Sequence, residues 1–239
     1  MKEAYRHLTA AAEAKETAIG RLAEIIAILR VECPWDRVQT HESLRAGMLE
    51  EAYEVVEAID NKDLANLREE LGDVLLQVVF HAHIEEERGG FDLTDVINEE
   101  CEKMIRRHPH VFLEESENNH AKSIDKVLEK WENIKVQERG DKRVTSRMEK
   151  VPKALPALTR ANKIQKRAAE SGFDWDDISG AFDKVKEEYR EVISCCQDEN
   201  KDAARLKEEV GDLLFSVVNI SRFLGIDPED ALNYTNNKF

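Results

Sequence analysis

The chain has 239 residues, 41% of them hydrophobic and 36% charged, with only 10 glycines and 5 prolines. That composition suits a mostly helical soluble protein with polar outer faces. A net charge of −15 repels nucleic acid and anionic membranes at long range, so neither is expected as a partner. A small anionic ligand remains compatible, because a bound divalent cation inverts the local sign. Cys33, Cys101, Cys195 and Cys196 show no CxxC spacing, which reads as reduced thiols in a cytoplasmic protein. No apolar run is long enough for a bilayer, and the N-terminus lacks a signal-peptide core.

In chain order, Leu22, Ile25, Ile26 and Leu29 follow helical spacing, while the first fifteen or so residues have weaker periodicity and predict a loose extension. The helix stops at CPWD, Cys33 to Asp36, where Pro34 disfavours helical geometry and Trp35 is expected to anchor a loop. One helix then carries Leu44, Met48, Ala52, Val55 and Ile59 to about Asn61, and another runs from Asp63 to Glu87 before Gly89-Gly90. A further helix spans roughly Thr94 to Arg107, followed by HPHVF, His108 to Phe112. Glu114 to Asp125 reads as a polar loop, Lys126 to Glu138 as a short helix, and Arg139 to Pro152 as a charged connection. The second half predicts helices at Leu155–Glu170, Ile178–Cys196, Asp202–Leu224 and from Pro228 onward, with a loop at Ser171–Asp177. The domain boundaries that follow are 1–115 with its N-terminal extension, a linker at 116–152, and 153–239. The expected fold is all-α, built from antiparallel helices.

The halves repeat one another. LREELGDVLL at Leu67–Leu76 recurs as LKEEVGDLLF at Leu206–Phe215, and EEAYE at Glu50–Glu54 recurs as EEYRE at Glu187–Glu191. The offset is 137 residues for Glu51 to Glu188 and for Glu54 to Glu191, and 139 for Glu70 to Glu209 and for Asp73 to Asp212. A drift confined to the loop between paired helices is what a duplicated fold would show.

On a helix, residues i and i+3 share a face. Glu188 and Glu191, or Glu209 and Asp212, therefore project together, and antiparallel packing brings four carboxylates into one place. Four converging carboxylates do not stay ionised without a cation. All-oxygen ligands select Mg²⁺, Mn²⁺ or Ca²⁺, and Mg²⁺ is typically shared with substrate phosphates. A single EExxE would read as a solvated helix face. Here the acidic residues interrupt apolar stripes and the whole arrangement is repeated, which favours a site. Gly72 and Gly211 recur inside helices at a cost of about 1 kcal/mol each, suggesting close helix approach. A di-iron carboxylate bundle would need Glu-x-x-His, and neither quartet contains histidine.

The pattern EExxE, a gap and ExxD resembles the all-α nucleoside triphosphate pyrophosphohydrolases. CPWDRVQT, RRHPHVF, LPALTRANKIQKRA, GFDW and EEVGDLLFSVVNISRFLG resemble the tandem-repeat MazG type, over about Arg21 to Phe239. The resemblance implies two antiparallel helical repeats, four-helix-bundle-like on dimerisation, in a homodimeric Mg²⁺ enzyme, with Mn²⁺ as a substitute. It implies cleavage of NTPs or dNTPs to the monophosphate and pyrophosphate. Carried over by position, the metal ligands would be Glu188, Glu191, Glu209 and Asp212, with Glu51, Glu54, Glu70 and Asp73 as first-copy equivalents. Glu187 or Glu208 is expected to orient the attacking water.

Lys184, Arg205 and Lys238 are the expected phosphate contacts, Lys238 beginning what resembles the family's Lys-Phe-x-x-Arg segment. The first copy has Gly47 and Asn66 at the first two of these places, and keeps Lys103, Arg106 and Arg107 downstream. The second copy is therefore expected to be the better triphosphate site. The sequence stops at Phe239, where the family pattern continues, so a weakened second site is also an expectation. The alternative from another class is a non-catalytic nucleotide-binding or regulatory protein. Trp35 and Trp175 are read as loop anchors, and His108 with His110 as too few ligands for a metal.

Overall fold

A computed structural model describes residues 2–112, 148–198 and 202–239, with isolated positions at 123, 127, 131 and 134. All regular structure among the described residues is helical. The expected polar loop and most of the expected linker and short helix lie outside the described residues. The chain divides into two compact units, Met1–Ser123 and Ile124–Phe239.

In the first unit, α1 (Lys15–Glu32), α2 (His41–Asp60), α3 (Leu64–Glu87) and α4 (Leu93–Arg107) are followed by the short α5 (Pro109–Phe112). The helices begin where side chains satisfy the free N–H groups of the first turn. Thr40 forms a capping box with Ser43, Asp63 accepts from Ala65 and Asn66, and Asp92 forms a box with Asp95. α2 and α3 pack together, and α1 packs on α3. Ile26, Leu44, Val79, Phe80 and Ile84 form the buried centre.

Two expectations for this unit are corrected. The N-terminal residues are docked, not loose: a 3₁₀ helix spans Glu3–Thr9, Lys2 and Tyr5 bind Glu32, and Arg21 Nε donates to Leu8 O at 2.8 Å. Polar contacts hold this segment, which is why it lacks an apolar period. The CPWD loop is anchored by Arg30, not by Trp35, which is 62% exposed. Arg30 Nη1 donates to the carbonyls of Asp36 and Gln39 at 2.6 and 3.0 Å, and its Nε reaches Glu87 Oε1 at 3.0 Å.

In the second unit, α6 (Ala157–Ala169), α7 (Ile178–Gln197), α8 (Ala203–Phe223) and α9 (Pro228–Lys238) repeat the plan. α7 packs along α8, and α6 packs on α8. Asp202 caps α8 as Asp63 caps α3, and Asp177 and Asp227 cap α7 and α9. The duplication thus extends to the helix starts. Gly72 and Gly211 do not mark close helix approach within the chain. Both are exposed, and a Cβ built on either meets nothing within 4 Å.

Candidate functional site

Glu188 and Glu191 lie one turn apart on α7, and Glu209 and Asp212 one turn apart on α8. α8 packs along α7, which brings these turns face to face. Ligand oxygens of Glu188, Glu209 and Asp212 lie within 4.8 Å of one another. Burial, then Glu188 and Glu209, hold the carboxyl of Glu191, one turn further along α7, above the usual carboxylate range.

The first unit builds the same cluster from α2 and α3. Glu51, Glu70 and Asp73 converge within 4.8 Å. Burial, followed by Asp73 and Glu54, raises the Glu51 carboxyl. Burial and then Glu54 do the same for Glu70. Six of the eight residues expected from the spacing are therefore gathered, three in each unit, while Glu54 and Glu191 stand one turn along the same helices and outside the 4.8 Å groups.

The two clusters differ in their cations. Lys184, one turn before Glu188, places Nζ 2.6 Å from Glu188 Oε1 and 2.9 Å from Glu187 Oε1. These carboxylates raise the lysine pKa well above its ordinary value, Glu188 contributing most. Arg205 Nε lies 3.5 Å from Glu209 Oε1. Both cations thus stand at the acidic cluster. Lys238 lies in the last turn of α9, exposed, and makes no ion pair among the described residues. Glu187 is bound to Lys184, and Glu208 is exposed beside Glu209. In the first unit Gly47 occupies the place of Lys184, and a Cβ there would stand 3.1 Å from Gln77 Nε2. Lys103 pairs with Glu100 on its own helix.

Glu188 also supplies a test of what the cluster fits. The residue is 4% exposed, and its Oε2 has no hydrogen-bond partner. A buried carboxylate oxygen left without a donor is costly. Facing Glu209 and Asp212, it forms an all-oxygen donor set of the kind hard divalent cations take.

Beside the cluster lies a cavity of about 620 Å³ between α6, the 171–177 loop, α7 and α8, reaching Lys184, Glu188 and Asp212. Its rim is fixed from two sides. Arg222 Nη1 binds Asp174 Oδ2 at 2.9 Å. The Trp175 ring lies against Gly180 so closely that an added Cβ would come within 2.7 Å of it. Trp175 is thus a loop anchor as expected, and it also lines the cavity. Asn162 and Gln165, buried amides one turn apart on α6, were not singled out by sequence reasoning. Two amides on the inward face of a helix were the available signal.

A repeated pair of antiparallel helices that gathers carboxylates between them defines an all-helical protein with an acidic, all-oxygen candidate site in each unit. The MazG nucleotide pyrophosphohydrolase domain matches residues 39–112 and 180–239. The chain is 50% identical over 207 residues to the nucleoside triphosphate pyrophosphohydrolase/pyrophosphatase MazG of Thermotoga maritima, covering 87% of this chain and 76% of that protein. It is 46% identical over 224 residues to the nucleoside triphosphate pyrophosphohydrolase of Escherichia coli K12, covering 92% of this chain and 84% of that protein. A crystal structure of a MazG-related protein from Thermotoga maritima aligns at 34% identity with a TM-score of 0.42, over 48% of this chain and 97% of that chain. The chain belongs to the MazG nucleotide pyrophosphohydrolase family.

Proposed function

We propose that the second repeat hydrolyses nucleoside triphosphates, ribo or deoxyribo, to the monophosphate and pyrophosphate in a Mg²⁺-dependent reaction, with Mn²⁺ as a substitute. The observation that carries this reading is the orphaned, buried Glu188 Oε2 within a carboxylate cluster that Lys184 and Arg205 flank. The names of the relatives support it. Glu188, Glu191, Glu209 and Asp212 would hold the cation; Glu51, Glu54, Glu70 and Asp73 would do so in the first repeat. When bound, the ion neutralises the triphosphate and polarises the phosphorus under attack.

The remaining work falls to this chain's side chains. Lys184 and Arg205 exchange their carboxylate partners for phosphate oxygens, holding the chain of phosphates in line. Glu187, released from Lys184 by that exchange, or Glu208 orients the attacking water. The first repeat keeps the acidic cluster but has Gly47 and Asn66 where the second has Lys184 and Arg205, and it is the weaker triphosphate site.

Leu49, Tyr53 and Val56 on α2 and Tyr189, Leu214 and Val217 on the α7–α8 pair are large, apolar and exposed. They fit burial by a second copy in a homodimer, which sedimentation equilibrium measures. The four cysteines are free thiols, which suits the cytoplasm. No helix among the described residues is long and apolar enough to cross a membrane.

Phosphorus NMR of the products tests the reaction. Monophosphate with pyrophosphate is expected; diphosphate with orthophosphate overturns the reading. Mg²⁺-dependent nucleotide binding with no turnover at all would favour a regulatory binding protein instead.

A further inference from the structure

We infer that the basic outer face of α6 is a steering surface, on which Lys163 and Lys166 draw polyphosphate anions towards the second acidic cluster. The inference rests on the proposed triphosphate substrate and adds how a strongly acidic chain gathers an anion.

The stretch from Lys150 to Ala169 carries six cations, Lys150, Lys153, Arg160, Lys163, Lys166 and Arg167, and no Asp or Glu. The chain as a whole carries −15, so this run stands against its surroundings. Four of the six fall on α6. There Asn162, Gln165 and Ala168 are buried, while Lys163 and Lys166 are exposed on the other side. Residues three and four apart share a helix face, so Arg160, Lys163, Lys166 and Arg167 form one basic stripe. Neither Lys163 nor Lys166 makes an ion pair among the described residues. Arg160 Nε is buried without a hydrogen-bond partner. Cations without carboxylate partners keep their field for approaching ions.

The first unit shows what the stripe adds. There α1 packs on α3 as α6 packs on α8. Yet α1 balances three cations, Lys15, Arg21 and Arg30, with three acids, Glu16, Glu24 and Glu32. Two of those acids are engaged locally: Glu24 meets His7 at 2.7 Å, and Glu32 binds Lys2. This place in the fold therefore asks for no surplus of cations. The surplus stands in the unit whose carboxylate cluster Lys184 and Arg205 flank.

Position gives the stripe its reach. α6 forms one wall of the cavity that extends to Lys184, Glu188 and Asp212. Cations on its outer side are separated from that space by the helix itself, about 10–12 Å across. The Debye length is about 30 Å at 0.01 M salt and about 3 Å at 1 M. The field of the stripe therefore reaches the cluster in dilute salt and is largely screened in concentrated salt. Without the stripe, an anion approaching the chain meets net repulsion.

The test compares wild type with Lys163→Glu/Lys166→Glu and with Lys163→Arg/Lys166→Arg, at ionic strengths of about 0.01 M and about 1 M. Calorimetry in Mg²⁺ measures affinity for α,β-methylene adenosine triphosphate, which binds without turnover. Pyrophosphate release from adenosine triphosphate gives kcat and kcat/KM. Charge reversal should lower affinity and kcat/KM about tenfold in dilute salt, and by less than about twofold in concentrated salt. kcat should stay within about twofold, because these lysines touch no reacting atom. The arginine pair keeps the charge and should match wild type.

Equal loss at both ionic strengths, or a fall in kcat, makes α6 a structural element and overturns the steering surface. So does a reversed variant that matches wild type in dilute salt. Salt-dependent loss of analogue affinity with no pyrophosphate release keeps the surface and removes the enzyme reading. Pyrophosphate release that is indifferent to the reversal does the opposite.

Discussion

Lys184 Nζ sits 2.6 Å from Glu188 Oε1 on α7, whereas Gly47 holds the matching place before Glu51 on α2. The repeats share their carboxylates and differ in the cation beside them. Removing that cation should expose the difference. Lys184→Gln should lower kcat/KM for triphosphates by about 10- to 100-fold, the worth of a charge-assisted bond to phosphate. Steady-state kinetics on the purified variant measure this, and a change below about twofold would remove Lys184 from the phosphate site.

Arg30 carries the CPWD loop of the first unit, reaching two loop carbonyls and Glu87. Its side chain is only 9% exposed. Arg30→Met should destabilise this unit by about 2 kcal/mol, since it strands carbonyl oxygens and a carboxylate together. Urea melts would show the loss, and pyrophosphate release from the second repeat should persist under native conditions.

Gly211 lies mid-helix in α8, and a Cβ there meets nothing in the chain. Gly211→Ala should therefore raise stability by about 0.5–1 kcal/mol through helix propensity alone. A loss of stability accompanied by dissociation to monomers would instead put this face in the contact between copies.

The first unit should be sensitive to mild acid. His41 and His81 stack with centroids 5.0 Å apart and share an Nδ1–Nδ1 contact of 2.7 Å, while His41 Nε2 meets Glu85 Oε1 at 2.7 Å. One ring must donate and the other accept, so two imidazolium ions do not fit. Burial and then His41 hold His81 below the usual imidazole range. Hydrogen bonds from His41 and then Arg88 hold Glu85 below the usual carboxylate range. At these two groups the unfolded chain binds more protons than the folded one, so their contribution to stability falls as pH falls, whereas the raised Glu51 and Glu70 carboxyls act in the opposite sense. The His81 contribution is lost from about pH 6.5 downward, and that of Glu85 below the ordinary carboxylate pKa of about 4.3. Thermal melts across this range should show a smaller first step for His81→Phe than for wild type.

The helices and three carboxylates of each acidic cluster were legible in the sequence because each rests on local rules. Spacing of three on a helix fixes a shared face, and Asp63 and Asp202 announce helix starts by chemistry that acts within one turn. Contacts between distant segments were not legible. Tyr5 on Glu32, and Arg30 on Glu87, need the fold before their partners meet. Gly72 and Gly211 misled because a helical glycine marks either close packing or mere absence of a side chain, and only the neighbouring surface decides. The cavity escaped notice because its walls come from three helices and a loop, and the polarity of Gln165 has meaning only once Phe215 lies beside it.

Pyrophosphate release from a panel of ribo- and deoxyribonucleoside triphosphates, with Mg²⁺ or EDTA, should be measured on wild type, Glu54→Gln and Glu191→Gln. Turnover should require Mg²⁺, survive Glu54→Gln, and fall on the order of 100-fold or more in Glu191→Gln. Release that persists in EDTA, or that Glu191→Gln leaves intact, would contradict a metal-dependent site on the second repeat.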